Sequence, residues 1–400
     1  MRILYLCCDL GIPILGRRGC STHVRETCRA LQEKGHEVTI LCSMKGNDED
    51  LQSDLEIIEL PPRRLRKLGY DIRNFWQNYP LYKKACQLME ERKFDACYER
   101  FSLYSLVGTW LGKKYRLPRI VEVNAFLSME HSHKLHFSGM AKRAEKYIAL
   151  RAPSLVVVSQ PLHDSLVELG VESDRITNMP MAVDIDHFRP DQERRQAIRD
   201  KWKLDGKYVI GYVGSLSAWH GISFLPEISK KMLEVRDDFV IFVVGGNENH
   251  LKKHRKVVSE QKLNSHLIFA GSVPYQDVSG YINAMDVALV PDTNYWTCPT
   301  KMFEYQASCV PTIAPKLPAV ERAMDHGEEG LLFPARDVNQ LVELILSLAD
   351  DAEKRETMGK KARERVIQTH SWQHNVEQIE KIYSDIEKGK ISIEGSIGSK

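Results

Sequence analysis

In the stretch PTKMFEYQASCVP, residues 299–311, a cation and a carboxylate stand three residues apart, Lys301 and Glu304. Pro299 and Thr300 open what reads as a short helix, since proline at a helix start gives up no needed N–H. A helix start presents free N–H groups and about half a positive charge, and such ends bind anions. The N–H groups of Thr300, Lys301 and Met302 are expected to face an anion, and the Lys301 ammonium adds a full charge. The competing reading is a solvated Lys–Glu pair at i,i+3, common on any helix. Context favours the anion: the apolar run DVALVP precedes the segment and VPTIAP follows it, so the helix joins two buried strands.

Other residues could also do chemistry. His220, in the loop SAWHG, would supply a second cation if protonated, or it is a loop-packing histidine. Gly19 follows Arg17 and Arg18 and opens a helix over 20–34. It allows close approach of backbone to a ligand, or it is a simple turn glycine. Glu122 and Asn124 lie in RIVEVN, at the end of an apolar run. A carboxylate there is costly to bury unless paired. It is expected to act in a binding cleft, with Arg100 as partner, or to form a buried Glu–Arg pair. Asp184 and Asp186, in DID, mimic a metal-binding pattern but lie in a proline-flanked linker and read as turn residues. No GxGxxG is present; GRRG at 16–19 and VGG at 244–246 are too weak to indicate a dinucleotide.

These residues need a scaffold that brings loop ends together. The opening RILYLCC is a near-continuous apolar run, as buried parallel strands are. THVRETCRALQEKG has helical spacing and ends at Gly35, and HEVTILC is the next strand. The alternation continues through DLEIIEL, a helix over 81–92, DACYE, a helix near 102–115, RIVEVN, a helix near 138–151, and SLVVVS. It restarts at 207 with KYVIGYVGSL and runs through DFVIFVVGG, HLIFAGSV, DVALVP, VPTIAP and GLLFPA. The expectation is an α/β fold of two doubly wound parallel sheets facing across a cleft. The boundaries are 1–180, 181–370, a helix over 371–389 packing back on the first domain, and a disordered tail at 390–400. In such sheets ligands sit at the carboxyl ends of strands.

The chain has 400 residues and a net charge of +2, so overall charge names no partner. Nine cysteines form no CxxC pair, and most lie in apolar runs, which argues for buried thiols in a cytoplasmic protein. No apolar run reaches the roughly 20 residues that span a membrane. Residues 61–150 hold 18 Lys/Arg against 8 Asp/Glu, with aromatics interleaved in RNFWQNY and HSHKLHF. This reads as a solvated helix face, or as contact with an anionic surface such as the inner face of a membrane or a phosphorylated acceptor. Nucleic acid would want a stronger domain-wide excess.

Seven landmarks occur in order: GRRGCSTHVRETCRALQEKGHEVTIL, YVGSLSAWHGISFL, FVVGGNE, FAGSVPYQDVSGYINAMDVALVP, PTKMFEYQASCVPTIAP, GLLFPARD and SWQHNVEQIEKIY. Together they resemble the family-4 glycosyltransferases of the GT-B fold, over nearly all of 1–389. The resemblance implies metal-independent, retaining transfer of a sugar from a nucleotide-diphosphate donor, of UDP or GDP type, to a glycan or lipid-linked acceptor. No cofactor is implied, since the donor is a substrate. It places the donor against Gly19, Ser215, His220, Gly245, Gly246, Val273, Thr300, Lys301, Met302 and Glu304, with Glu304 accepting from the ribose hydroxyls. Lys301, Glu304, Glu122 and Asn124 become the catalytic candidates, and Arg17, Arg18 and Arg100 the acceptor side. The chain departs from the family where Trp296 stands for the first Glu of a Glu-x7-Glu pair, Ser215 and His220 for an Arg and a Lys, and Asn124 for a histidine. It resembles a variant branch with WHG and KMFEY signatures. Hydrolysing nucleotide-sugar 2-epimerases share the fold, and a non-catalytic nucleotide-sugar-binding protein is the other alternative.

Overall fold

A computed structural model describes residues 1–16, 18–47, 54–62, 69–297 and 299–393. The chain divides into two compact units, 1–180 with 372–400, and 181–371.

The N-terminal unit begins with β1 (Arg2–Cys7), α1 (Gly19–Glu33), β2 (Glu37–Cys42) and β3 (Glu56–Glu59). It continues with α2 (Gly69–Arg92), β4 (Ala96–Arg100), α3 (Val107–Tyr115) and β5 (Arg119–Val123). Then follow α4 (Leu127–Glu130), α5 (Ser138–Arg151), β6 (Ser154–Val157), α6 (Gln160–Glu168) and β7 (Ile176–Asn178). The seven strands form one sheet in the order β3-β2-β1-β4-β5-β6-β7, with every pair parallel. β1 and β6 are buried along almost their whole length, as strands covered on both faces must be.

The C-terminal unit carries α7 (Gln192–Trp202), β8 (Tyr208–Val213), α8 (Leu225–Leu233), β9 (Phe239–Val244) and α9 (Glu248–Glu260). It goes on through β10 (Leu267–Gly271), α10 (Tyr275–Asn283), β11 (Val287–Leu289) and α11 (Thr300–Ala307). β12 (Thr312–Pro315), α12 (Pro318–Glu321), β13 (Gly330–Phe333), α13 (Val338–Ala349) and α14 (Ala352–Thr369) complete it. Its sheet is again parallel, ordered β10-β9-β8-β11-β12-β13. Alternate residues of β8 enter different cores: Tyr208, Ile210 and Tyr212 pack in one, Val209 and Val213 in the other. That alternation is what a sheet covered by helices on both faces requires.

The last helix, α15 (Trp372–Glu387), belongs to the N-terminal unit. Its Tyr383 hydroxyl donates to the Cys97 carbonyl at 2.9 Å, and Asn375 Nδ2 donates to Pro180 O at 3.1 Å. Of the expected disordered tail, Lys390 is tied to Asp385, while 394–400 lie outside the described residues.

Two elements differ from the sequence reading. The helix expected from 81 starts at Gly69 and runs through Pro80. Proline removes one N–H from such a helix. Polar side chains of this stretch hold the neighbouring backbone instead: Asn78 Nδ2 donates to Phe75 O and Tyr104 O, and Gln77 donates to Leu60 O. β7 has no counterpart in the sequence reading; three residues are too few for a pattern of period two to show.

Candidate active site at the carboxyl ends of β8 and β11

Both sheets reverse direction of build-up at one seam, between β1 and β4 in the first and between β8 and β11 in the second. Loops at such a seam part to opposite faces and leave a crevice, where doubly wound sheets bind ligands. In the C-terminal unit the loop after β8 holds Ser215 and His220, and the loop after β11 leads into α11 with Lys301 and Glu304.

Glycines let these loops meet. Gly221 has φ +71°, and a Cβ on it would lie 2.9 Å from the Asp292 backbone nitrogen. The WHG loop therefore rests directly on the strand end that feeds α11. Gly214 has φ +141°, and a Cβ there would lie 2.7 Å from Lys301 Nζ. Gly245 and Gly246 crowd the same loop: a Cβ on Gly245 would meet the Gly214 carbonyl, and one on Gly246 would lie 2.5 Å from Leu216 Cδ1.

Lys301 lies inward, at the head of α11. Its Nζ donates to the Tyr212 hydroxyl at 2.8 Å and lies 4.1 Å from the centre of that ring. The Tyr212 hydroxyl donates in turn to Ser215 O at 2.7 Å. From the next turn of α11, Tyr305 accepts the Val213 N–H at 2.7 Å, which pins the end of β8 to the helix. Lys301 and Glu304 each keep some surface. Burial pushes the Lys301 amine down to about 7 despite the favourable charge of Glu304. Burial likewise pushes the Glu304 carboxyl up to about 7 against the pull of Lys301. Among the described residues the Glu304 carboxylate takes no hydrogen bond. A lysine and a carboxyl group, both poorly solvated, thus stand within one turn at the head of α11.

Several expectations need correction. His220 sits beside Lys301, and burial together with that neighbouring charge lowers it to about 3. It is neutral here and does not supply the second cation. The Met302 N–H donates to Pro299 O at 3.0 Å, and the Met302 side chain is buried. The helix start therefore offers at most the N–H groups of Thr300 and Lys301. Ser215 is exposed, with its hydroxyl 3.2 Å from that of Ser217, and Val273 packs partly buried against the core.

In the N-terminal unit Glu122 is fully buried. One carboxylate oxygen bonds His23 Nε2, and the other lies 3.9 Å from Arg100 Nη1. Burial alone would raise its pKa, but His23 and Arg100 outweigh burial and hold the carboxyl below its ordinary value. Glu122 has no surface to offer a substrate, so its catalytic assignment gives way to the internal pair. Arg100 is drawn inward by the same pair, which removes it from an exposed acceptor surface. Asn124, just past β5, is half-buried beside Glu122 and helps to hold that carboxyl low. Gly19 starts α1 with open space at its Cα, and Arg18 donates to Gly11 O. Arg17 lies outside the described residues. Asp184 accepts the N–H groups of Asp186 and His187 at 3.0 and 2.9 Å, a turn role.

Sequence reasoning missed Tyr212, Gly214 and His23. Tyr212 is hidden in an apolar strand, and His23 is one polar residue in a helix whose burial no local pattern reveals. Gly214 carried a signal, a glycine immediately after a strand.

Comparison with known proteins bears on this geometry. The family described as Glycosyltransferase Family 4 matches residues 17–187, and that described as Glycosyl transferases group 1 matches residues 194–365. The chain is 22% identical to a D-inositol 3-phosphate glycosyltransferase of Corynebacterium jeikeium, over 73% of each chain. It is 22% identical to a GDP-mannose-dependent alpha-(1-6)-phosphatidylinositol monomannoside mannosyltransferase of Mycobacterium tuberculosis, over 64% of this chain and 68% of that one. Among solved structures, HepE of Anabaena in complex with UDP superposes with a TM-score of 0.79 at 18% identity, covering 96% of this chain and all of that one. Sucrose-phosphate synthase of Thermosynechococcus elongatus gives 0.80 at 19% identity, covering 97% and 100%.

Proposed function

Since the chain is a glycosyltransferase built from a family 4 domain and a group 1 domain, we propose that it moves a sugar, with retention and without metal, from a UDP- or GDP-sugar to a glycan or lipid-linked acceptor. The observation that carries this reading is Lys301, a desolvated cation fixed at a helix start where the sheet's crevice opens. The HepE relative is in complex with UDP and with UDP-glucose, and the mycobacterial relative uses GDP-mannose, which supports a nucleotide-sugar donor.

The donor's diphosphate lies against the N–H groups of Thr300 and Lys301, near the backbone of Gly245 and Gly246. Glu304 accepts hydrogen bonds from the ribose hydroxyls. As the anomeric C–O bond ionises, negative charge grows on the departing diphosphate. Lys301 stabilises that charge more strongly in the transition state than in the bound donor. His220, neutral in the free site, becomes a hydrogen-bond partner instead of a counter-ion. The WHG and KMFEY segments, which come together where His220 lies beside Lys301, are read here as signatures of a variant branch. Its expected place of work is the cytoplasmic face of a membrane, in surface-glycan or glycoconjugate assembly.

The test is a panel of UDP- and GDP-sugars with candidate acceptors, with EDTA present, read as nucleoside diphosphate released and product anomer by NMR. Transfer with the donor's anomeric configuration kept is the expected result. Inversion at C2 of donor incubated alone would make the chain an epimerase, and tight donor binding with no turnover against any acceptor would make it a binding protein.

A further inference from the structure

The first half of α2 is built inside out. Asp71, Asn74, Gln77 and Asn78 are buried, whereas Phe75, Trp76 and Tyr79 face solvent, with Trp76 63% and Tyr79 71% exposed. The inversion is not a packing accident, because the buried polar groups are bonded. Asp71 accepts from the Tyr104 hydroxyl at 2.6 Å and from the His136 N–H at 2.8 Å. Asn78 donates to Tyr104 O at 2.7 Å and accepts from the Leu106 N–H at 2.6 Å. A helix whose polar face is satisfied inside and whose aromatic face is outside needs something apolar beyond the protein.

Exposed apolar side chains recur on the segment held next to the start of α2. Tyr70, at the start of α2, bonds His131 Nδ1 at 2.8 Å and packs edge-on to that ring. Asp71 holds the backbone of His136, so the segment from Met129 to Met140 is stitched alongside. There Phe137 is 51% exposed, and Met129 and Met140 are exposed too. The exposed charges on this segment and on α5 are mostly positive. Lys134, Lys142, Arg143 and Lys146 are all exposed, against the exposed acid Glu130, while the other carboxylate, Glu145, is buried on Ser128.

We infer that this face, formed by Phe75, Trp76 and Tyr79 of α2 with Phe137 and the cations of α5, docks the N-terminal unit on an anionic lipid bilayer. The chemistry on both sides fits. Tryptophan and tyrosine rings settle at the bilayer interface, where one end is apolar and the other wet. Basic side chains at that level are attracted to anionic headgroups. Exposed rings and cations together supply the two signals that stable peripheral binding needs. The sequence expectation for residues 61–150 is narrowed here to one face and its rings. The inference does not depend on sugar transfer, because lipid binding can be read without any donor.

The test is co-sedimentation of the full chain with phosphatidylcholine vesicles, with and without phosphatidylglycerol, over a range of salt. Partition onto the anionic vesicles should exceed that onto neutral ones by roughly tenfold or more, and weaken with salt. The double variant W76S/Y79S should lower partition onto both vesicle types, and K142E/R143E should abolish the preference for phosphatidylglycerol. Both variants should keep wild-type melting temperature, since all four side chains are exposed. Equal partition onto both vesicle types, or W76S/Y79S binding as wild type does, overturns the inference. So does a concentration-dependent dimer that W76S/Y79S dissolves in the absence of vesicle binding, which would give the face to a second copy of the chain.

Discussion

Replacing Lys301 by alanine should lower kcat by roughly 10²–10³, the range for losing one preorganised donor to developing charge. The geometry argues for the whole of that effect. Nζ is held by the Tyr212 hydroxyl at 2.8 Å and by the face of its ring, so little reorganisation is needed when charge appears. His220 cannot take over, because burial and Lys301 keep it neutral in the free site. Even with Lys301 gone, burial alone still opposes a charge on His220. Arginine at 301 should recover little. Nζ is seated close to Gly214, where an added Cβ would lie 2.7 Å from it, and a planar fork does not replace a compact ammonium in such a contact. The assay is nucleoside diphosphate release at saturating donor and acceptor, with melting temperature as a check on folding. Because the free amine is held in a poorly solvating site, its removal should leave the fold no less stable. A Lys301→Ala enzyme within about twofold of wild-type kcat would refute the reasoning.

Other outcomes follow from the same residues. Glu304→Gln should weaken donor binding by about 1.5–3 kcal/mol, the worth of a hydrogen bond to a charged group, as read by calorimetry. Affinity for a nucleotide sugar should peak near pH 7. Below about 7 Glu304 is protonated and accepts poorly, and above about 7 Lys301 loses its charge. Glu304→Gln should remove the acid limb of that profile and Lys301→Ala the alkaline limb. His23→Ala should destabilise the N-terminal unit by about 3–5 kcal/mol in urea unfolding, because it removes the closest partner of the buried Glu122 carboxylate and leaves Arg100 at 3.9 Å and Asn124. Since the folded pKa of Glu122 is depressed, its pairing stabilises the fold above the ordinary carboxylate range, and that contribution is lost as pH falls through the folded value.

Much of the fold is legible in the sequence for one physical reason. A strand covered on both faces must be apolar throughout, so RILYLCC and SLVVVS announce β1 and β6 without alternation. The crossover from one parallel strand to the next usually passes through a helix, and the helical spacing of THVRETCRALQE shows one. Legibility fails where a polar residue is buried by something distant in sequence. The start of α2 is such a place: Gln77 and Asn78 read as part of a solvated helix face before Pro80, and only the backbone of Leu60, Tyr104 and Leu106 makes them interior. His23 is another, because Glu122 comes from a strand 99 residues away. The site divides in the same way. Lys301 and Glu304 stand out because proline and threonine mark a helix start after an apolar strand. The state of His220 could not be read, because its neutrality comes from burial beside Lys301, a contact made by two separate loops.

The central claim is that a nucleoside diphosphate is held at the head of α11 by Lys301 without a metal. Calorimetric titration of UDP and of GDP into the protein in EDTA tests it most directly. One of the two should bind, and Lys301→Ala should weaken that binding by roughly tenfold or more, the loss of a charge-assisted contact to phosphate. Binding of neither nucleotide, binding that appears only when a divalent cation is added, or equal affinity in wild type and Lys301→Ala would contradict the account.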